Sequence, residues 1–146
     1  MRLSSPNHRT LHPAAQYIGL PYCAGGRSRE TGVDCWGLVR LYYEEQKGIS
    51  LPDLPGVVNG DILGISRTIW RGCDSVWKEI PKPIDGCAVG MSLRTILHHV
   101  GIWLEADGGK VLHCWERGSV IAEPLRLLRL KGIKVIKFFE YHGLDH

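Results

Sequence analysis

From residue 84 onward, the apolar residues of this chain fall into short runs separated by turn formers. Five runs read as strands: C-A-V-G-M-S (87–92), H-V-G-I-W-L (99–104), K-V-L-H-C-W (110–115), S-V-I-A (119–122) and K-V-I-K-F-F (134–139). D-G-G at 107–109 and R-G-S at 117–119 supply turns of hairpin length. Consecutive short strands on tight turns must pair antiparallel, and such a sheet needs a cover for its apolar face. The only strongly amphipathic stretch lies before it. Cys35, Leu38, Val39 and Tyr42 share one face of a helix predicted from about 35 to 47, with Gly48 placed to end it. The expected fold is therefore α+β, with N-terminal helices packed on one side of a C-terminal antiparallel sheet of about five strands.

The remaining segments organise around that plan. Residues 1–11 read as a loose lead-in. Pro13 starts a short helix to Tyr17, which Gly19 and Pro21 stop. Residues 24–33 form a glycine-rich polar loop, and 50–60 a second loop carrying Pro52, Pro55, Gly56 and Gly60. Residues 61–79 read as one helix or a broken one, with Trp70 and Trp77 as buried anchors. There is no internal repeat. A chain of 146 residues suits a single domain spanning 1–146.

Composition removes several function classes. The net charge of +3 is too small for nucleic-acid binding, and the one basic cluster, R-L-L-R-L-K at 126–131, is interleaved with leucine as a solvated helix face is. No apolar run is long enough for membrane insertion, which takes roughly 18 residues. The N-terminus has no apolar core of a secretory signal, so the expectation is synthesis in the cytoplasm. The five cysteines, an odd number with no C-x-x-C pair, argue against a disulfide framework.

One cysteine has a special position. Asp34 is a good N-cap, and Cys35 follows it at the first helical residue. The partial positive charge of a helix start favours a thiolate there. A nucleophilic cysteine also needs an imidazole and a group to orient it. The sheet carries His98, His99 and His113. Neighbours on a strand diverge, so His98 and His99 cannot both face the helix, and the one that reaches Cys35 should. An odd number of turn residues between the two strands puts His99 and His113 on one side. An even number separates them unless a bulge intervenes. Cys114 beside His113 also suggests a zinc site, but adjacent strand residues diverge and the spacing is irregular. Gly25 and Gly26 lack the G-K-[ST] of a phosphate loop. No metal or cofactor is implied. Cys73, Cys87, Trp70 and Trp77 read as core.

G-L-P-Y-C-A-G-G (19–26) followed by D-C-W-G-L-V (34–39) resembles the N-terminal signature of the NlpC-type cysteine peptidases, small papain-like enzymes that cut bacterial cell-wall peptides. H-V-G-I-W-L is similar to that family's histidine strand, V-L-H (111–113) to the strand of its third polar residue, and P-I-D-G-C (83–87) to the turn before its first core strand. The resemblance runs from about 12 to 140. It implies Cys35 as nucleophile, His99 as base and His113 as the residue orienting His99. It also implies an oxyanion met by the Cys35 N–H and the Tyr22 hydroxyl, and Asp34 near the free amine of a peptidoglycan stem peptide. Cleavage would fall near the bond from D-glutamate to a diamino acid. Trp36 stands where many relatives have a substrate-binding serine, Cys23 where they have tryptophan or arginine, and residues 60–82 are an elaboration. D-C-W-G, V-L-H-C-W-E-R-G-S-V-I and the aromatic end K-F-F-E-Y resemble the bacteriophage-tail branch. That implies a virion-associated protein with other tail proteins as partners. A non-catalytic tail-assembly role, or amidase or acyltransferase chemistry, is the alternative.

Overall fold

The computed structural model describes residues 12–51, 77–92, 99–116 and 118–142. Expectations for Trp70, Cys73, His98 and most of 60–82 lie outside them. A 3-10 helix, Pro13–Tyr17, is followed by a two-stranded ribbon of β1 (Arg27–Ser28) and β2 (Gly32–Val33) inside the segment expected to be loop. Strands of two residues carry no periodicity, so the sequence has no signal for them. Helix α1 is Cys35–Tyr42, and the chain then widens into a π-helical segment, Tyr43–Lys47, that ends at left-handed Gly48.

Among the described residues the main sheet has six antiparallel strands, close to the expected number of about five. They are β3 (Trp77–Ile80), β4 (Ala88–Ser92), β5 (His99–Leu104), β6 (Lys110–Cys114), β7 (Val120–Glu123) and β8 (Val135–Tyr141), in spatial order β3-β8-β4-β5-β6-β7. The extra strand, β3, corrects the helical reading of 61–79 at its C-terminal end. Trp77 pairs with Tyr141, and their rings meet edge to face near Tyr43. That partnership lies far apart in sequence, where local pattern cannot show it.

Both faces of the sheet are covered, which corrects the one-sided expectation. On the first, Leu38, Val39 and Tyr42 of α1 join Val100, Ile102, Leu104, Leu112 and Cys114 in one core. On the second, Val89, Met91, Trp103 and Val111 pack with Leu128 and Ile133. Leu128 belongs to a second helix, α2 (Leu125–Leu130), inside the stretch read as a solvated face. Its Leu130 is exposed while Leu128 is buried, and Leu125 packs half-buried against the same cluster. The strands between are sandwiched, and every residue of β5 is buried.

The N-terminal motif is woven into the sheet edge. Tyr22 N–H donates to the Gly118 carbonyl, while Val33 N–H donates to the Pro21 carbonyl, so residues 21–23 lie between β7 and β2. This lashing brings α1 against β5 with its first residue at the strand.

Candidate active site

Cys35 opens α1. Asp34 caps the helix as expected, its Oδ1 accepting from Gly37 N–H at 2.7 Å. The same carboxylate is fully buried and accepts from Arg27 Nη1 at 2.8 Å and from Gly25 N–H at 3.0 Å. Arg27 is a residue the sequence reading did not single out. It bridges Asp34 to the Gly26 carbonyl and so ties the two halves of the N-terminal motif. The motif glycines follow from the same closeness: a Cβ at Gly37 would lie 2.0 Å from the Gly26 oxygen.

The Cys35 side chain is completely buried in the α1 core. Burial pushes its thiol up to about 12, aided by the Asp34 charge, while hydrogen bonds from the Val100 and Trp36 backbone pull the other way. The helix start does not win against desolvation. In this arrangement the group is a protonated thiol, and a thiolate must be made by moving the proton to a base. The contact with Val100 fixes where such a base must stand, because the preceding residue is His99.

His99 and His113 are brought together. Residues 105–109 separate Leu104 from Lys110, an odd connection, and Trp103 pairs with Val111 in register. His99 Nε2 and His113 Nδ1 lie 3.0 Å apart, and both rings are buried. Gly101 makes this possible, since a Cβ there would lie 3.0 Å from the His113 Cβ and 2.8 Å from Val111 Cγ1. Their face, however, is the one with Trp103 and Val111, not the one covered by α1. The expectation that the base faces the helix is therefore corrected. Cys35 meets β5 at the Val100 backbone, one residue from His99.

The chain of polar contacts continues past His113. Its Nε2 lies 2.9 Å from Glu123 Oε1. Trp115 donates its indole N–H to the same oxygen at 3.2 Å, and its ring stacks on His99 at 4.8 Å with planes 2° apart. Lys131, just beyond α2, bonds Glu123 Oε2. Burial raises the Glu123 carboxyl, but hydrogen bonds from Lys131, His113 and Trp115 outweigh it and hold the group below the ordinary range. His113 is shifted down as well, because burial outweighs the hydrogen bond and charge of Glu123. The His113–Glu123 contact is thus a neutral imidazole on a carboxylate, with Lys131 supplying the positive charge. Glu123, Trp115 and Lys131 were not predicted. The one available signal was that Glu123 lies two residues from Ile121, the pairing partner of His113, hence diagonal to it.

The other predicted residues are placed unevenly. Tyr22 is half-buried beside Val33, and its phenol is raised by burial and by Glu116, Asp34 and Cys35, which puts it in the neighbourhood of the thiol. Trp36 is 2% exposed and packed in the core, so its indole offers a ligand no surface here. Cys23 is half-buried. Cys114 points to the α1 side, its Sγ donating to the Val33 carbonyl, so it diverges from His113. Cys87 and Trp77 are core. Among the described residues, no group of three or more His, Cys, Asp or Glu is arranged around a common cation position.

The NlpC/P60 family model matches residues 19–129. A curated relative, the gamma-DL-glutamyl hydrolase of Bacillus subtilis (strain 168), is 30% identical over 96 residues, which cover 66% of this chain and 21% of that protein. The chain thus spans about a fifth of that relative's length. Among solved structures, the NlpC/p60 domain of the peptidoglycan hydrolase SagA superposes with a TM-score of 0.55 at 21% identity, covering 86% of this chain and 91% of that one. A lipoprotein-like NLP/P60 protein of Staphylococcus aureus subsp. aureus Mu50 gives 0.53 at 23% identity, covering 85% and 38%. At these identities the two structures speak for the fold.

Proposed function

Since this chain belongs to the NlpC/P60 family, we propose that it is a cysteine endopeptidase acting on peptidoglycan stem peptides through an acyl-enzyme. The observation that carries the reading is the contact of the Cys35 sulfur with the Val100 backbone, next to a histidine already held in a hydrogen-bonded chain. His99 takes the thiol proton, and the sulfur attacks the peptide carbonyl carbon. The C–N bond breaks as the imidazolium returns its proton to the leaving amine. Water then cleaves the thioester, giving the free acid and the thiol. The Cys35 N–H, at the start of α1, and the Tyr22 hydroxyl meet the oxyanion. Asp34 acts chiefly by fixing the helix start, because three donors already occupy its carboxylate.

The glutamyl hydrolase relative supports cleavage beside a γ-linked D-glutamate. The motifs D-C-W-G and V-L-H-C-W-E-R-G-S-V-I support delivery as a phage-tail component that meets the cell wall from a virion. A second reading, a binding module on the same fold, is favoured by the complete burial of the Cys35 thiol.

Digestion of purified peptidoglycan fragments, read by mass spectrometry with Cys35→Ala alongside, separates the two. New peptide termini with the wild type alone establish the peptidase and locate its bond. A broad fragment panel left intact by a folded wild type whose thiol titrates normally overturns it.

A further inference from the structure

We propose that Glu123 is a positioning residue: its carboxylate sets the tautomer of His113 and, through it, of His99, leaving Nδ1 of His99 to receive the thiol proton. The inference rests on the peptidase reading for its last step, while the tautomer assignment rests on the contact geometry with a neutral His113 against an ionised Glu123.

The assignment follows from donors and acceptors. An ionised carboxylate accepts only, so the 2.9 Å contact with Glu123 Oε1 requires the proton of His113 on Nε2. A neutral imidazole carries a single N–H, so His113 Nδ1 is a bare lone pair. That lone pair faces His99 Nε2 at 3.0 Å, which must therefore be the donor. His99 is left with Nδ1 as its only basic atom. Reversing any one of these contacts sets a lone pair against a carboxylate or an N–H against an N–H, in a buried site where mismatches are expensive. Each link is also held laterally. Trp115 donates to the same Glu123 oxygen and lies flat on the His99 ring, so one side chain aligns both ends of the relay. Lys131 occupies the second carboxylate oxygen and keeps it from rotating toward His113. The polar set spans three neighbouring strands and the end of α2.

The test reads the protons directly. The full chain, with 15N-labelled histidine, is examined by long-range proton–nitrogen NMR near neutral pH. His113 is expected with a protonated Nε2 and a bare Nδ1, and His99 with a protonated Nε2. A proton on His113 Nδ1 in the wild type overturns the proposal without recourse to any variant. In Glu123→Gln the His113 signals are expected to shift toward a mixture of tautomers. Its kcat on stem-peptide fragments should fall about 10- to 100-fold with KM little changed, and Glu123→Asp should recover part of it. A folded Glu123→Gln with unchanged tautomers also overturns the relay. Failure of the wild type to cleave any fragment counts against the peptidase reading and leaves the spectrum to decide the relay.

Discussion

The two faces of the β5–β6 hairpin are built on opposite principles. On the α1 face the thiol sits in an apolar core and meets the backbone of Val100 and Trp36. One buried ion pair, Asp34 with Arg27, holds the helix start in place. On the other face a chain of side chains, His99, His113, Glu123 and Lys131, runs across three strands and satisfies itself link by link. A dry pocket keeps a thiol neutral and depends on one anchor. A distributed network orients protons and spreads its dependence over several residues. Building the two around neighbouring residues of one strand, Val100 and His99, lets each environment be optimised separately.

The largest expected effect therefore comes from the single anchor. Asp34→Ala removes the α1 cap and leaves Arg27 without its buried partner, a class of change that costs roughly 3–5 kcal/mol. Urea unfolding should show Asp34→Ala losing clearly more stability than Glu123→Gln, which keeps a hydrogen-bonding group in place. If Glu123→Gln costs as much, the network is no more tolerant than the anchor and the contrast between the faces fails.

Two glycines give an intermediate and more local test. An alanine Cβ at Gly37 would collide with the Gly26 carbonyl at 2.0 Å, on the thiol side. One at Gly101 would meet Leu112 O at 2.7 Å and the His113 Cβ at 3.0 Å, on the imidazole side. Each should destabilise by about 1–3 kcal/mol through forced backbone shifts. Gly37→Ala is expected to speed alkylation of Cys35 by iodoacetamide while leaving the imidazole nitrogen signals in place. Gly101→Ala is expected to do the reverse. Joint perturbation of both readouts by either variant would show that the faces are mechanically one unit.

The same contrast explains how much could be read from sequence. The start of α1 was legible because capping and the i, i+3, i+4 pattern are local. The strand runs from 88 to 141 were legible because turn formers bracket them. The pairing of His99 with His113 was legible as a condition on turn length, which the 105–109 connection meets. Which face they occupy was not, because β5 is buried on both sides and its sequence does not alternate. Glu123 escaped for a related reason: its approach to His113 depends on the β6–β7 register, which a local pattern leaves open. The π-helical end of the helix and the β1–β2 ribbon have no local signature of their own.

The most gradual effects lie in the pH dependence of stability, and there the faces should part by sign. His113 is shifted below 6.5 in the folded protein, so as pH falls through 6.5 the unfolded chain takes up a proton that the folded one refuses. Glu123 is shifted below 4.5, so a second loss begins as pH falls through 4.5. Cys35 and Cys114, on the α1 face, are both pushed up from 9.0 to about 12 by burial. Between those values the unfolded chain has released protons that the folded one keeps, and stability falls as pH rises. Each group contributes at most about 1.4 kcal/mol per pH unit while its two states differ. Urea midpoints should thus decline on both flanks, with Glu123→Gln flattening the limb below 4.5 and Cys35→Ala flattening the limb above 9.0. An acid limb that responds to Cys35→Ala, or an alkaline limb that responds to Glu123→Gln, would mean that the two environments are coupled across the strand rather than built apart.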